Sequence, residues 1–272
     1  MKHILVPTDF SPQSEYALKV AAQLAKKFKA DIHLLHVLEL PLHLATVDSG
    51  QIPEAVFFMK LAQQKFEKFK AKPYLKDITV HEAVESYKIS DGIKHFSEEN
   101  KIDLIVMGSS GATGLKEMFI GSNTEKVVRN SNIPVLILKE KVDAFKIDDF
   151  VYACDFEDSS LKAYKNAVKF ADSFEATIHL LYVNTPHLFT TTSETNSKIN
   201  SYIKKLKPKN YTINIYNDDT VEQGILNFSQ SINANIIGIS THGRSGLDHF
   251  FSGSIGEDLA NHAIRPVITF KI

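Results

Sequence analysis

At 272 residues the chain is long enough for one large domain or two of ordinary size, and 43% hydrophobic with 23% charged residues is a globular composition, not a disordered one. A net charge of −1 gives no electrostatic reason to expect nucleic acid or an anionic membrane as a partner. The single cysteine, Cys154, excludes an intrachain disulfide framework and fits a reducing compartment.

The opening MKHILVPTDF carries an apolar run too short for a leader core. No stretch approaches the roughly 18 apolar residues that span a bilayer. A soluble, cytoplasmic protein is expected. HILVP reads as a short strand buried on both faces. SPQSEYALKVAAQLAKKF follows as a helix, with Ser11 as N-cap and Pro12 as first helical residue. Its Ala17, Val20, Ala21, Leu24 and Phe28 share one face. DIHLLHV is a second strand. QIPEAVFFMKLAQQKFEKFKAK is helical after Pro53, with Phe58, Leu61, Ala62, Phe66 and Phe69 on one stripe. DITVHEAV, ISDGIKHFSEEN and IDLIVMG continue as strand, helix and strand. A helix starting near Ser122 and the strand IPVLIL close the series.

The series then repeats. At an offset of 146 residues His33–Val37 lies over His179–Val183, and Asp9 lies over Asp155. From Gly92 onward the offset is 132, so the first copy holds 14 more residues between Val37 and Gly92. The expected organisation is a duplication, residues 1–139 and 149–272, joined by a linker at 140–148. Strands alternating with helices imply an α/β fold with a parallel sheet, helices on both faces and right-handed crossovers. In such doubly wound sheets ligands sit beyond the carboxyl ends of the strands, where strand order switches. Asp9 and Gly108 both fall at predicted strand ends.

Between the fourth strand and the last helix of each copy lies a glycine loop. In the first copy the spacing is Gly108, two residues, Gly111, nine residues, Gly121 and Ser122. It is neither a Walker A loop nor a Gly-x-Gly-x-x-Gly fingerprint. Its physics is shared with both: glycines let backbone N–H groups approach an anion, and a helix start adds unpaired donors and a favourable dipole. Ser122 with Glu125, and Ser254 with Glu257, are also capping boxes that a helix needs whether or not anything binds. Capping does not explain the glycines upstream, and a plain connector of that length is uncommon.

The pattern Gly-x2-Gly-x9-Gly-Ser, the opening ILVPTDFS and the phrase THGRSGL…GSIGEDLANHAIRPV resemble the universal stress protein family over nearly all of both copies. The resemblance implies two tandem doubly wound domains, each with a five-strand parallel sheet of order 3-2-1-4-5. It also implies ATP as ligand, with an accompanying magnesium ion left open. Carried over by position, Asp9 would meet the ribose or adenine and the Val37 backbone the base. Gly108 would admit ribose and phosphate, while Gly111, Gly121 and Ser122 would bind phosphates. The second copy keeps Asp155, Val183, Gly243, Gly253 and Ser254, but Ser240 stands where the first glycine belongs. If that position needs left-handed backbone, a Cβ there costs about 1–2 kcal/mol. Arg244 offers a phosphate partner in compensation. The first copy is thus the expected main site and the second a weaker one. The family likeness further implies pairing of the two copies as an internal pseudo-dimer, and of whole chains as a homodimer.

The role expected is a nucleotide-dependent regulator of the stress response. Alternatives are a slow ATP hydrolase, since the loop supplies donors but no dedicated base or Walker-type lysine, and a scaffold acting through protein contacts alone. His33 and His36 stand three apart on a strand and point to opposite faces, which fits packing better than a metal pair. Cys154 reads as a small buried hydrophobe.

Overall fold

The computed structural model describes residues 1–38, 52–86, 88–109, 122–241 and 263–272, with backbone alone at 52–55 and 122. Part of the extra chain of the first copy, residues 39–51, lies outside the described residues. So do most of both glycine loops, 110–121 and 242–262. The described residues form two compact units, one ending at Phe145 and the other beginning at Lys146.

In the first unit β1 (His3–Pro7) leads into α1 (Pro12–Phe28), β2 (Asp31–Val37) and α2 (Ile52–Lys70). There follow β3 (Val80–Glu85), α3 (Ile89–Glu99), β4 (Leu104–Gly108), α4 (Ser122–Asn130) and β5 (Val135–Leu138). Strand order is β3-β2-β1-β4-β5, and the pairs are parallel. In the second unit β6 (Asp149–Ala153), α5 (Leu161–Phe174), β7 (Thr177–Asn184), α6 (Thr192–Ile203), β8 (Tyr211–Asn217), α7 (Val221–Ser231), β9 (Ile236–Thr241) and β10 (Val267–Lys271) follow in chain order. Its sheet, again parallel, runs β8-β7-β6-β9-β10, the same 3-2-1-4-5 order.

Local chemistry explains the element limits. Ser11 caps α1 by accepting from the Ser14 N–H at 3.2 Å, with Pro12 in the first turn. The helix stops at Lys29, which takes a left-handed φ of 53°. Ala17, Leu18, Val20, Ala21, Leu24 and Ala25 are buried on its inner face. The third strand begins at Val80, later than expected, because Asp77 sits in a turn with φ 65°. On α2, Ala62, Phe66 and Phe69 are buried as expected, but Leu61 is 38% exposed. The segment after β5 is tied to α1: Phe145 N–H donates to Gln23 and Lys19 pairs with Asp143 at 2.6 Å.

Near the amino ends of β1 to β3 three imidazoles meet. His33 Nε2 lies 3.3 Å from His3 Nδ1, and its ring stacks on His81 at 4.8 Å. Phe96 of α3 closes edge-on at 5.9 Å, and Asp31 lies 3.5 Å from His81. Burial first, then His81 and His3, hold His33 below its ordinary 6.5, while Asp31 pulls the other way. The unfolded chain therefore takes up protons more readily once pH falls below 6.5. Stability from this cluster is full above that pH and is lost as pH drops through the window beneath it. The second unit places Asp149 and Thr212 around the matching His179, at 2.8 and 2.9 Å. A His3→Asp variant, copying that arrangement, is expected to flatten the fall in first-unit stability as pH drops below 6.5. Denaturant titrations at stepped pH check this, and an unchanged slope would remove the cluster as its cause.

Candidate functional site

The carboxyl ends of β1, β2 and β4 adjoin one another, at the point where strand order reverses. After β1 the chain turns sharply. Thr8 N–H continues the ladder to the Leu35 carbonyl at 2.8 Å, and Thr8 Oγ1 accepts from the Phe10 N–H at 3.0 Å. Phe10 takes a left-handed φ of 64°, a conformation that costs a bulky residue about 1–2 kcal/mol. Its ring is held by Phe66 at 5.0 Å, Phe69 at 5.3 Å and His36 at 4.8 Å, which offsets that strain.

This turn leaves Asp9 exposed at the strand end, its Oδ1 accepting from the Ser11 N–H at 2.9 Å. Partial burial acts to raise its proton affinity, but hydrogen bonds from Ser11 and Ser14 outweigh it and hold the carboxyl below 3.8. Asp9 is thus an ionised acceptor at neutral pH. Val37 ends β2 opposite Glu85, and the next residue, Leu38, donates to the Glu85 carbonyl at 2.8 Å.

Gly108 ends β4, and the reason for its lack of side chain is steric. A Cβ there would stand 2.2 Å from the main-chain oxygen of Gln13, in the first turn of α1. Its φ is not left-handed, so the strain argument made for Ser240 does not apply. Ser240 sits in ordinary strand backbone, 1% exposed. In the second unit the first turn is a 3₁₀ turn at Asp158–Ser160 and α5 starts only at Leu161, whereas α1 starts at Pro12. Ser240 therefore carries a side chain at a position where the helix entry differs.

The helix α4 meets the same strand end: Thr124 Oγ1 lies 3.5 Å from the Gly108 carbonyl. Glu125 pairs with Arg129 one turn on, at 3.0 Å. Ser122 opens this helix, and its side chain, expected as a cap, lies outside the described residues, as do Gly111 and Gly121. Asp9, Val37 and Gly108 are thus brought to three neighbouring strand ends. Sequence reasoning passed over Ser109 and Thr124, whose only signal was their place beside the glycines.

The second unit repeats the turn and seals it. Cys154 stands where Thr8 does and accepts from the Phe156 N–H at 3.2 Å, and Phe156 has φ 57°. Asp155 Oδ1 accepts from the Glu157 N–H at 3.0 Å, matching the bond from Ser11 to Asp9. Yet Asp155 is only 8% exposed. The Ser160 hydroxyl lies 3.0 Å from its Oδ1 and 2.8 Å from the hydroxyl of Tyr202, which α6 carries over the turn. Phe156 packs edge-on against Tyr202 at 5.5 Å. Burial, and then Asp155, push the Cys154 thiol up to about 12, which leaves it inert. Val183 is buried at the end of β7. Gly243, Arg244, Gly253 and Ser254 lie outside the described residues. No local feature of sequence announced Tyr202, which is 42 residues from Ser160.

Among the described residues no three His, Cys, Asp or Glu side chains are grouped to hold a metal ion. None of their helices is long and apolar enough to cross a membrane.

Strand order, parallel pairing and the acidic turn after the first strand define a duplicated doubly wound α/β protein whose strand order reverses between β1 and β4 and again between β6 and β9. Residues 1–139 and 146–271 each match the universal stress protein family, and the chain belongs to it. It is 31% identical over 140 residues to universal stress protein MJ0531 of Methanocaldococcus jannaschii, covering 51% of this chain and 82% of that one. It is 33% identical over 156 residues to MJ0577 of the same organism, covering 52% of this chain and 96% of the relative. A universal stress protein from Archaeoglobus fulgidus has the same fold over 99% of this chain and 98% of its own, with TM-score 0.71 at 22% identity.

Proposed function

We propose that the first unit binds an adenine nucleotide, ATP by the family likeness, and that the chain is a nucleotide-dependent regulator in the stress response. Asp9 accepts from the ribose or base, Val37 offers backbone to the base, and Gly111, Gly121 and Ser122 take the phosphates. Regulation is linkage: bound nucleotide favours whichever conformer it binds more tightly. The observation that carries the reading is the contrast between the two acidic turns. Asp9 is ionised and exposed at the end of β1, whereas Asp155 is buried, with Tyr202 bonded to the serine that it holds. The second unit is therefore assigned no nucleotide of its own. Slow hydrolysis has no separate observation behind it, and phosphate release over hours reads it in the same samples.

The test is calorimetry on the full chain with ATP. The expected result is one nucleotide per chain, weakened roughly tenfold or more in Asp9→Ala, which removes a charged acceptor. Asp155→Ala is expected to leave nucleotide binding alone. It instead lowers stability by about 1–3 kcal/mol, because the Glu157 N–H and Ser160 hydroxyl lose a buried partner. Two nucleotides per chain would defeat the assignment to one unit, and no heat with ATP would defeat the nucleotide reading.

A further inference from the structure

β4 and β5 run in register from Ile105 opposite Val135 to Gly108 opposite Leu138. Ser109 N–H continues that ladder to the Leu138 carbonyl at 2.8 Å, so the next pair is Ser109 beside Lys139. Side chains alternate along a strand, and Gly108 faces Gln13 of α1. Ser109 and Lys139 accordingly stand on the other face of the sheet, in line with Met107 and Ile137.

Both carry orphaned polar atoms. Ser109 is 3% exposed and its hydroxyl is buried without a hydrogen-bond partner; the Lys139 ammonium is likewise buried and unpartnered. In the second unit Thr241 and Lys271 hold the matching places, and Lys271 is engaged. A buried ammonium nitrogen without a hydrogen-bond partner is costly to keep, and an anion is what completes it. Burial draws the Lys139 amine down to about 8, with Glu140 acting partly against that, so it is still mostly protonated at neutral pH. The first turn of α4, through Thr124 at the Gly108 carbonyl, adds a helix start at the same strand end.

We infer that Lys139, with the Ser109 hydroxyl, seats the terminal phosphate of the nucleotide held by the first unit. The inference rests on the nucleotide reading above and adds to it a cation at the end of β5. Strand order gives the direction. With the base at β2 and the ribose at β1, β5 lies two strand spacings beyond β1, roughly 10 Å, on the side to which the phosphate chain leads. The site thereby distinguishes ATP from AMP by a charge contact that AMP cannot reach.

Titration calorimetry of the full chain with ATP and with AMP tests this on wild type, Lys139→Met, Lys139→Arg and Ser109→Ala. Lys139→Met is expected to weaken ATP by roughly tenfold or more and AMP by less than about twofold. Lys139→Arg restores ATP binding, and Ser109→Ala loses a smaller part of it. Wild-type ATP affinity falls as pH rises from about 7 to 10, and Lys139→Arg does not follow. The melting midpoint of Lys139→Met without nucleotide stays at or above that of wild type, since an orphan cation has been removed. If wild type and Lys139→Met bind ATP alike, or if ATP and AMP weaken equally, the phosphate seat is wrong while the nucleotide site stands. If wild type binds neither nucleotide, the underlying reading falls and this inference falls with it.

Discussion

Gly108→Ala is expected to cost the first unit about 3 kcal/mol or more, and to lower its melting midpoint by roughly 10 °C, with no nucleotide present. The added Cβ meets the Gln13 carbonyl at 2.2 Å, and that oxygen belongs to the main chain of a capped helix turn. A flexible side chain could swing away. This contact yields only if the start of α1 shifts, and that start also fixes Ser11 against Asp9. Lost nucleotide binding in this variant would therefore follow from lost packing. Thermal melts of the ligand-free chain separate the two effects: an unchanged midpoint would mean that α1 gives way freely.

Phe150→Ala is expected to destabilise the second unit by about 3–5 kcal/mol. Phe150 is fully buried among Tyr152, Phe170 and Phe270, at ring distances of 6.3, 5.9 and 6.4 Å. Its ring lies 2.4 Å from where a Cβ on Gly238 would stand, so that glycine is the space the ring needs. The first unit solves the same position with Ile4 and Val106, the residues at the equivalent places. Gly238→Val alone overpacks by about 3 kcal/mol, and Phe150→Ile alone leaves a void of about 1–2 kcal/mol. The double variant keeps the number of side-chain carbons and copies the first unit's Ile4 and Val106, and is expected within about 1.5 kcal/mol of wild type. Chemical denaturation of all four proteins checks the cycle. Simple addition of the two single effects would show that ring and glycine do not share one space.

The elements were legible because their signals are local: the Ser11 cap with Pro12, the apolar runs of β1 and β4, and the buried Phe66 and Phe69 on α2. The repeat in sequence carried the strand order across both units. What escaped was set by contacts between distant residues. The need for glycine at 108 comes from a carbonyl of α1, not from its own torsion. The sealing of Asp155 comes from Tyr202 on α6, and the pairing of Ser109 with Lys139 from strand register. At the candidate site Asp9 and Gly108 stand at strand ends as the chain pattern implied, while Val37 and the strand order that makes these ends adjoin came from the family likeness. Gly111 and Gly121 lie outside the described residues, and their phosphate contacts belong to the proposal alone.

The closed network of Cys154, Asp155, Ser160 and Tyr202 bears on how such a molecule reports concentration. Cooperative uptake within a chain needs two coupled places for the same guest. If, as proposed, only the first unit takes nucleotide, a single chain saturates along a plain hyperbola. Any steeper dose response then has to arise from chains acting on one another, outside the single polypeptide.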